Sequence, residues 1–337
     1  MSTAGGKDRF KTYNRMMPCR LFYTDHHALP LPAGHKFPLE KYRLLRELLE
    51  HDGVFSLEPA PLAAQADVEL VHDPAYVQAF LAGALGDSAM RRIGFPWSQA
   101  LVHRTLASVG ATLAATKEAL ATGWGGTLAG GTHHAFAAEG SGFCVFNDIA
   151  IAARWLQRGE DSTNPNGSRP RPGIQRIAVI DLDVHQGDGT AHIFRDDPLV
   201  LTLSVHCRNN FPLRKQTSKI DVDLPAGAGD EEYLRALAEV VPRVWQFAPQ
   251  AVFYQAGVDG LASDLLGRLK LTHAGLMERD RIVMRGVRQL GVPFVITLGG
   301  GYSRPIELTA QAHANTFRVA REVLGEKQHL RALDATR

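Results

Sequence analysis

Residues 177–188 read IAVIDLDVHQGD, an apolar, β-branched run that passes directly into acidic residues and a histidine. The first part, Ile177–Asp181, has the continuous hydrophobic character of a strand covered on both faces in a parallel sheet. Three runs of the same kind occur later in the chain, at residues 199–205, 251–255 and 293–298. Together these runs predict a central, mostly parallel β-sheet.

Helical patterns separate the predicted strands. Apolar residues recur at spacings of three and four in five segments, at residues 41–50, 98–121, 146–156, 230–245 and 273–290. Asp230 is the expected N-cap of the fourth helix, and two glutamates follow it in the first turn. The alternation of strands and helices predicts an α/β fold in which helices flank both faces of the sheet.

The composition is that of a soluble globular protein, and it argues against several other classes. Of the 337 residues, 45% are hydrophobic and 21% are charged, so the chain can bury a large core. The formal net charge of +2 lacks the basic excess of a nucleic-acid-binding protein, so no nucleic acid partner is expected. The sequence has no apolar run of about 18 residues, so no membrane span is expected. Three cysteines and an N-terminus without an apolar signal segment favour a cytoplasmic protein.

We expect a single domain over residues 13–325, because no linker or internal repeat divides the chain. Flexible ends are expected at residues 1–12 and 326–337. Residues 159–173 are rich in Pro, Gly, Ser and Asn, which predicts an exposed loop within the domain.

Five apolar segments end in clusters of glycine with histidine, aspartate, serine or tyrosine. The clusters lie at residues 130–134, 181–188, 204–206, 256–260 and 299–302. In parallel α/β sheets, ligands bind outside the carboxyl ends of the strands. The five clusters therefore predict one shared functional site.

Asp181, Asp183 and His185 are spaced by two residues, so in an extended strand their side chains would share one face. A bound cation would compensate for the cost of burying these groups together, and carboxylate and imidazole ligands suit zinc or another divalent metal. Asp259 could supply a third ligand and leave one position for water, as in a catalytic zinc site. The alternative is that both segments are ordinary strand-ending turns.

His133 and His134 are adjacent and follow two glycines, so both imidazoles could face a cleft. Asp181 and Asp188 could each accept a hydrogen bond from one imidazole, which would set its tautomer and raise its basicity. Tyr302 follows three glycines and could donate a hydrogen bond to a developing oxyanion. The alternatives are a surface loop with exposed histidines and a glycine-rich turn with an ordinary tyrosine.

These motifs resemble the histone deacetylase family of the arginase–deacetylase fold. The resemblance runs in family order from about residue 20 to 315. It rests on residues 130–134, 142–144, 147–148, 181–188, 256–259 and 299–302. A finer pattern at residues 32–38, 257–264 and 267–271 is most similar to the class IV branch and its bacterial relatives.

The resemblance implies a role for each matching residue. It implies that Asp183, His185 and Asp259 bind zinc; two carboxylates and one imidazole would also accept iron(II). The resemblance also implies the catalytic, potassium and substrate residues. These are His133 and His134 as general acid and base, Asp181 and Asp188 behind them and Tyr302 at the substrate carbonyl; Asp181, Asp183, His185, Ser204 and Val205 at a potassium ion, partly through backbone oxygens; and Gly142, Phe143, Phe211, Gly300 and Gly301 around the substrate.

The expected function is hydrolysis of N-acyl-lysine, with an acetyl or a longer acyl group, on a protein or peptide. A first alternative is deacetylation of acetylpolyamines or other small acylated amines, and a second is an acyl-lysine-binding protein without turnover. An arginase-like enzyme with two manganese ions is disfavoured, because Gly187 and Leu261 stand where the second metal would need aspartates. The oligomeric state is left open.

Overall fold

The structure is a computed structural model that describes residues 19–159 and 173–325. The flexible ends expected at residues 1–12 and 326–337 lie outside the described residues, as does the expected loop at 159–173 apart from its two end residues. The strands are β1 (Cys19–Tyr23), β2 (Phe55–Pro59), β3 (Trp124–Thr127), β4 (Ile177–Asp181), β5 (Val200–Cys207), β6 (Ile220–Leu224), β7 (Ala251–Gln255) and β8 (Phe294–Thr297). The helices are α1 (Glu40–Asp52), α2 (Gln65–Val68), α3 (Pro74–Leu81), α4 (Asp87–Ile93), α5 (Gln99–Thr122), α6 (Asp148–Arg158), α7 (Asp188–Ile193), α8 (Asp230–Gln246), α9 (His273–Leu290) and α10 (Glu307–Leu324).

The strands form one sheet in the order β2-β1-β3-β8-β7-β4-β5-β6, and every pairing between the described strands is parallel. In the middle of the sheet, Asp181 at the end of β4 lies opposite Ser204 on β5 and Gln255 on β7. The carboxyl ends of the central strands therefore meet at one edge, where the polar clusters follow them.

Helices cover both faces of the sheet, as the sequence predicts. Successive residues of a strand point to opposite faces, so Ala178 and Ile180 join one hydrophobic cluster while Ile177 and Val179 join the other. The first cluster contains side chains from α1, α8, α9 and α10, and the second contains side chains from α3, α5 and α6. This double coverage explains why the central strands are apolar along their whole length.

The prediction for Asp230 is wrong, although the helix itself is confirmed. The N-cap of α8 is Gly229, and Asp230 is the first helical residue. Its carboxylate instead accepts hydrogen bonds from the backbone N–H and the hydroxyl of Thr272, at 2.9 and 2.6 Å. Thr272 is itself the N-cap of α9, so Asp230 joins the start of one helix to the start of the next.

In the described part of the chain, no helix combines the length and the apolar character needed to cross a membrane.

Candidate active site

The turn after β4 carries two of the predicted metal ligands. The strand ends at Asp181, so Asp183 and His185 lie beyond it and not on its face, which corrects the strand-face argument. The Asp181 carboxylate accepts the N–H of Asp183 at 3.1 Å, and the Asp183 carboxylate accepts the N–H of His185 at 3.0 Å. The segment is thus a turn, which was the alternative to a strand. The turn nevertheless brings Asp183 and His185 together, as a metal site requires.

Asp183, His185 and Asp259 form a buried group whose ligand atoms all lie within 4.8 Å of one another. Nδ1 of His185 is 3.0 Å from Oδ1 of Asp183 and 3.0 Å from Oδ2 of Asp259. Burial opposes protonation of His185, but its contacts with these carboxylates outweigh burial and raise its pKa to about 10. The field at this point therefore favours positive charge, and two carboxylates with one imidazole are a donor set that fits zinc or iron(II).

Backbone amides and glycines hold the two carboxylates of this group in place. The N–H of Val184 donates to Asp259 at 2.9 Å, and the N–H of Gly300 donates to Asp183 at 2.7 Å. A Cβ atom on Gly300 would lie 1.9 Å from Oδ2 of Asp259, and one on Gly257 would lie 2.4 Å from Oδ2 of Asp183. Both positions therefore require glycine, because a side chain would displace a metal-ligand candidate.

Arg279 on α9 binds the backbone next to Asp183 and Asp259, and it was not identified from the sequence. The guanidinium is fully buried and donates hydrogen bonds to the carbonyls of Gly257, at 2.5 Å, and Leu182, at 3.3 Å. Its neighbour Asp280 accepts its Nε–H at 2.9 Å. The available signal was an Arg–Asp pair on the apolar face of a predicted helix, where unpaired charges are costly.

The paired histidines lie next to the metal-ligand candidates, each with a carboxylate behind it. Nδ1 of His133 is 2.6 Å from Asp181, and Nδ1 of His134 is 2.6 Å from Asp188. With Nδ1–H donated to the carboxylates, Nε2 of each ring is left for other partners. The structure therefore brings together all four residues that the sequence predicted for proton transfer.

The two imidazoles have opposite electrostatic environments, although their rings are only 4.0 Å apart. Burial opposes the charge on His133, but the carboxylates of Asp181 and Asp183 outweigh burial and raise its pKa to about 9. Burial, together with the neighbouring charge of His133, lowers the pKa of His134 to about 4. The two rings thus differ in basicity, and a general acid and a general base need groups that differ in this way.

The loop that carries the histidines is fixed by Asp148 at the start of α6. The Asp148 carboxylate accepts the N–H groups of Gly131, at 2.9 Å, and Thr132, at 2.7 Å. Asn147 is the N-cap of α6, and its own N–H donates to Nε2 of His72 at 2.8 Å. His72 is buried and donates from Nδ1 to the carbonyl of Ala137, so it is a neutral ring that supports the loop.

Tyr302, Phe143 and Phe211 line a cavity of about 400 Å³ that also reaches the metal-ligand candidates and the histidine pair. Phe143 lies 6.3 Å from the Tyr302 ring, and Phe211 packs edge-on against His134 at 4.9 Å. Burial and the carboxylate of Asp259 raise the pKa of Tyr302 well above its ordinary value, so the phenol keeps its proton. The predicted substrate residues Gly142 and Gly300 also line this cavity, whereas Gly301 is packed behind it against Thr309.

Lys41 is a second residue that sequence reasoning missed. It is only 1% exposed, lines the same cavity, donates to the carbonyl of Gly301 at 3.3 Å and lies 5.1 Å from the centre of the Tyr302 ring. Its spacing was a usable signal, because Lys41, Leu45 and Leu49 share one face of α1.

Two of the residues predicted for potassium, Ser204 and Val205, lie on β5 beside the end of β4. Ser204 lies opposite Asp181 in the sheet, and its hydroxyl is 2.9 Å from Nδ1 of His206. Val205 is fully buried in the apolar core, so its backbone carbonyl is the part of it that could reach an ion.

The features that disfavour a second metal are visible in the structure. A Cβ atom on Gly187 would lie 2.2 Å from Oδ2 of Asp181, so an aspartate does not fit there. Leu261 is 2% exposed and belongs to the hydrophobic core. Within residues 19–159 and 173–325, the Asp183–His185–Asp259 group is the one cluster of this type.

Comparisons with known proteins identify the family of this chain. The histone deacetylase domain matches residues 35–319. The chain is 45% identical to an uncharacterized protein of Picosynechococcus sp. over 305 residues, which cover 89% of this chain and 98% of the relative. It is 31% identical to histone deacetylase 2 of Arabidopsis thaliana, over 80% of this chain and 70% of the relative. It is 30% identical to the histone deacetylase-like amidohydrolase of Pseudomonas aeruginosa, over 82% of this chain and 77% of the relative. The chain therefore belongs to the histone deacetylase family and has its arginase–deacetylase fold.

Proposed function

We propose that the protein is a zinc-dependent deacylase that hydrolyses the amide bond of N-acyl-lysine. The observation that carries the proposal is that Asp183, His185 and Asp259 share one cavity with the histidine pair and Tyr302. Metal-assisted hydrolysis of an amide needs these three parts: a Lewis acid, proton transfer and an oxyanion donor. The similarity to a named amidohydrolase supports the same reaction class.

Each protein group has a distinct role in the proposed mechanism. Zinc or iron(II), when bound by Asp183, His185 and Asp259, supplies Lewis acidity toward a water molecule and the acyl carbonyl. His134 accepts the proton of the attacking water, because its Nδ1–H is held by Asp188 and its ring is neutral. His133, held by Asp181, donates a proton to the leaving amine. Tyr302 donates its hydroxyl proton in a hydrogen bond to the oxyanion of the tetrahedral intermediate.

The lining of the cavity favours acyl-lysine over acetylpolyamine. A polyamine carries further ammonium groups, which need an acidic side chain near the mouth of the site. The acidic residues that line the cavity are Asp183 and Asp259, and the metal would engage both of them. The one exposed charged residue in the lining is Arg268, which would repel a second ammonium group.

A second, smaller cavity beside the main one supports acyl groups longer than acetyl. A second cavity of about 60 Å³ shares Phe37, Tyr42 and Phe143 with the main cavity. Its other walls include the apolar side chains of Leu29 and Phe95. Each methylene group buried there would contribute about 0.8 kcal/mol.

Two finer assignments belong to the same proposal. We propose a structural potassium ion beside Asp181 and Ser204, which the register of β4 and β5 places opposite each other. We also propose that the protein is most similar to the class IV branch, on the sequence pattern of residues 32–38, 257–264 and 267–271.

The test is hydrolysis of matched fluorogenic peptides that carry acetyl-, octanoyl- or myristoyl-lysine, alongside acetylated spermidine. We expect turnover of the peptides that stops with a hydroxamate chelator and exceeds turnover of the polyamine. Faster hydrolysis of the polyamine would overturn the substrate assignment. Binding of the peptides without chelator-sensitive turnover of any substrate would favour an acyl-lysine-binding protein.

A further inference from the structure

Asp264 is a partly buried residue whose carboxylate is used in none of the proposed catalytic steps. It lies in the loop between β7 and α9, and it accepts three backbone hydrogen bonds. Oδ1 accepts the N–H groups of Leu266 and Gly267, each at 2.8 Å, and Oδ2 accepts the N–H of Tyr302 at 2.6 Å. One carboxylate therefore organises its own loop and also holds the backbone of the proposed oxyanion donor. Bonds from an amide to a charged acceptor are about twice as strong as neutral ones.

The same loop holds Tyr302 at a second point. The carbonyl of Tyr302 accepts the N–H of Leu265 at 3.4 Å, and Asp264 forms an isolated antiparallel bridge with Ser303. The amide and the carbonyl of Tyr302 are thus both bound by residues of this loop. Because the N–H bond to Asp264 is the shorter and is charge-assisted, it contributes most to fixing the tyrosine backbone.

The loop is also packed directly against a metal-ligand candidate. A Cβ atom on Gly267 would lie 1.7 Å from the carbonyl oxygen of Asp259, so the loop folds back into contact with Asp259 near its own start. Asp264 binds Gly267 on one oxygen and Tyr302 on the other. The carboxylate therefore connects the position of Tyr302 to that of Asp259.

We propose that Asp264 is a positioning residue for hydrolysis, which acts by holding Tyr302 in register with Asp259. The inference rests on the proposed function, because it assumes that Tyr302 is the oxyanion donor. A shift of about 1 Å in such a donor can reduce the rate by about 10²-fold. The phenol has to lie beside the acyl oxygen of the substrate, on which charge develops, and the metal that Asp259 would help to hold acts on the same oxygen. The distance between Tyr302 and Asp259 therefore decides how well the phenol stabilises the transition state.

The test is a double-mutant cycle of Asp264→Asn with Tyr302→Phe. Asparagine has nearly the same shape and can still accept from Leu266 and Gly267, but it presents an amide donor to the N–H of Tyr302. We expect kcat to fall about 10- to 100-fold in Asp264→Asn, with KM and metal content close to those of the parent. In the Tyr302→Phe background the same change should cost less than about twofold, because residues that act as a unit are not additive.

Ser263→Ala is the matched control. The hydroxyl of Ser263 donates to Ser303 at 3.0 Å, so the change removes a bond between the same two segments but leaves the tyrosine amide bound. A readout apart from turnover is ¹⁹F NMR of protein labelled with 3-fluorotyrosine. The chain has seven tyrosines, so seven signals are expected. The Tyr302 signal, identified by its loss in Tyr302→Phe, should shift or broaden in Asp264→Asn and stay in place in Ser263→Ala.

Several outcomes would overturn the inference. Equal losses of kcat in both backgrounds would show that Asp264 acts independently of the tyrosine, and loss of metal would show that it acts on the ligand group. Unchanged kcat together with an unchanged ¹⁹F signal would show that it positions nothing. A parent protein without chelator-sensitive turnover would instead overturn the proposed function, and the inference with it.

Discussion

Substitution of Gly300 by alanine should damage metal binding without unfolding the protein. The added Cβ atom would lie 1.9 Å from Oδ2 of Asp259, 2.6 Å from its Cγ and 3.0 Å from Oδ2 of Asp183. Because nonbonded carbon contacts are favourable near 3.5 Å, the Asp259 carboxylate would have to move by more than about 1 Å. Metal–ligand distances vary by only about 0.2 Å, so a displacement of this size removes a ligand. We therefore expect zinc affinity to fall at least about 100-fold.

The measurement is zinc content after dialysis against a graded series of chelator concentrations, together with the melting temperature of each protein. Gly86→Ala is a suitable control, because Gly86 has ordinary backbone angles and a Cβ atom there would meet nothing within 4 Å. A Gly300→Ala protein that retains zinc as the parent does would refute the reasoning. That result would mean that the Asp259 carboxylate can move away without loss of the site.

Three further predictions follow from other parts of the site. Tyr302→Phe should lower kcat by about 10²- to 10³-fold while zinc content stays at the parental level, and full activity in steady-state assays would exclude the oxyanion role. Asp183→Asn should lose the metal, so zinc content equal to that of the parent would disprove the ligand assignment. His72 should make stability depend on pH, because burial lowers its pKa to about 4 in the folded protein whereas an unfolded histidine titrates near 6.5. The unfolded chain then binds the extra proton as pH falls from 6.5 to 4, so the loss of unfolding free energy between pH 7 and pH 5, measured by urea unfolding, should be about 1–2 kcal/mol smaller in His72→Gln than in the parent. An equal loss in that variant would assign the pH dependence to other groups.

The sequence was sufficient to predict the strands β4, β5, β7 and β8, five of the flanking helices and the residues that meet at the carboxyl edge, but not α10. The reason is that a strand covered on both faces must be apolar throughout, and that pattern can be read locally. The predicted strand runs did not include β1, β2, β3 or β6. Gly125 and Gly126 in β3 have low strand propensity, but a Cβ atom on Gly125 would lie 2.2 Å from the Ala115 carbonyl of α5, and one on Gly126 would lie 2.6 Å from the Phe317 ring of α10. Their identity reflects helices that pack close to the strand, which a local pattern does not show.

The site residues divide in the same way. Site residues that are close together in the sequence, such as His133 and His134, could be identified from their spacing. The residues that hold them, such as Arg279 and Asp264, act through backbone atoms of distant segments. The sequence contains no pattern that pairs a side chain with a remote carbonyl or amide, so these contacts required the structure.

The packing around Gly187 has a consequence for how metal number can change among proteins with this fold. Substitution by aspartate would be the obvious first step from one metal to two, but a Cβ atom there would lie 2.2 Å from Oδ2 of Asp181 and 3.1 Å from Nδ1 of His133. The new aspartate would disrupt the contact between His133 and Asp181, whether or not it bound a metal ion. A second step at Leu261 would place a charge in the apolar core. Each single substitution would therefore be expected to lower activity or stability, so a second metal site would require several substitutions made together.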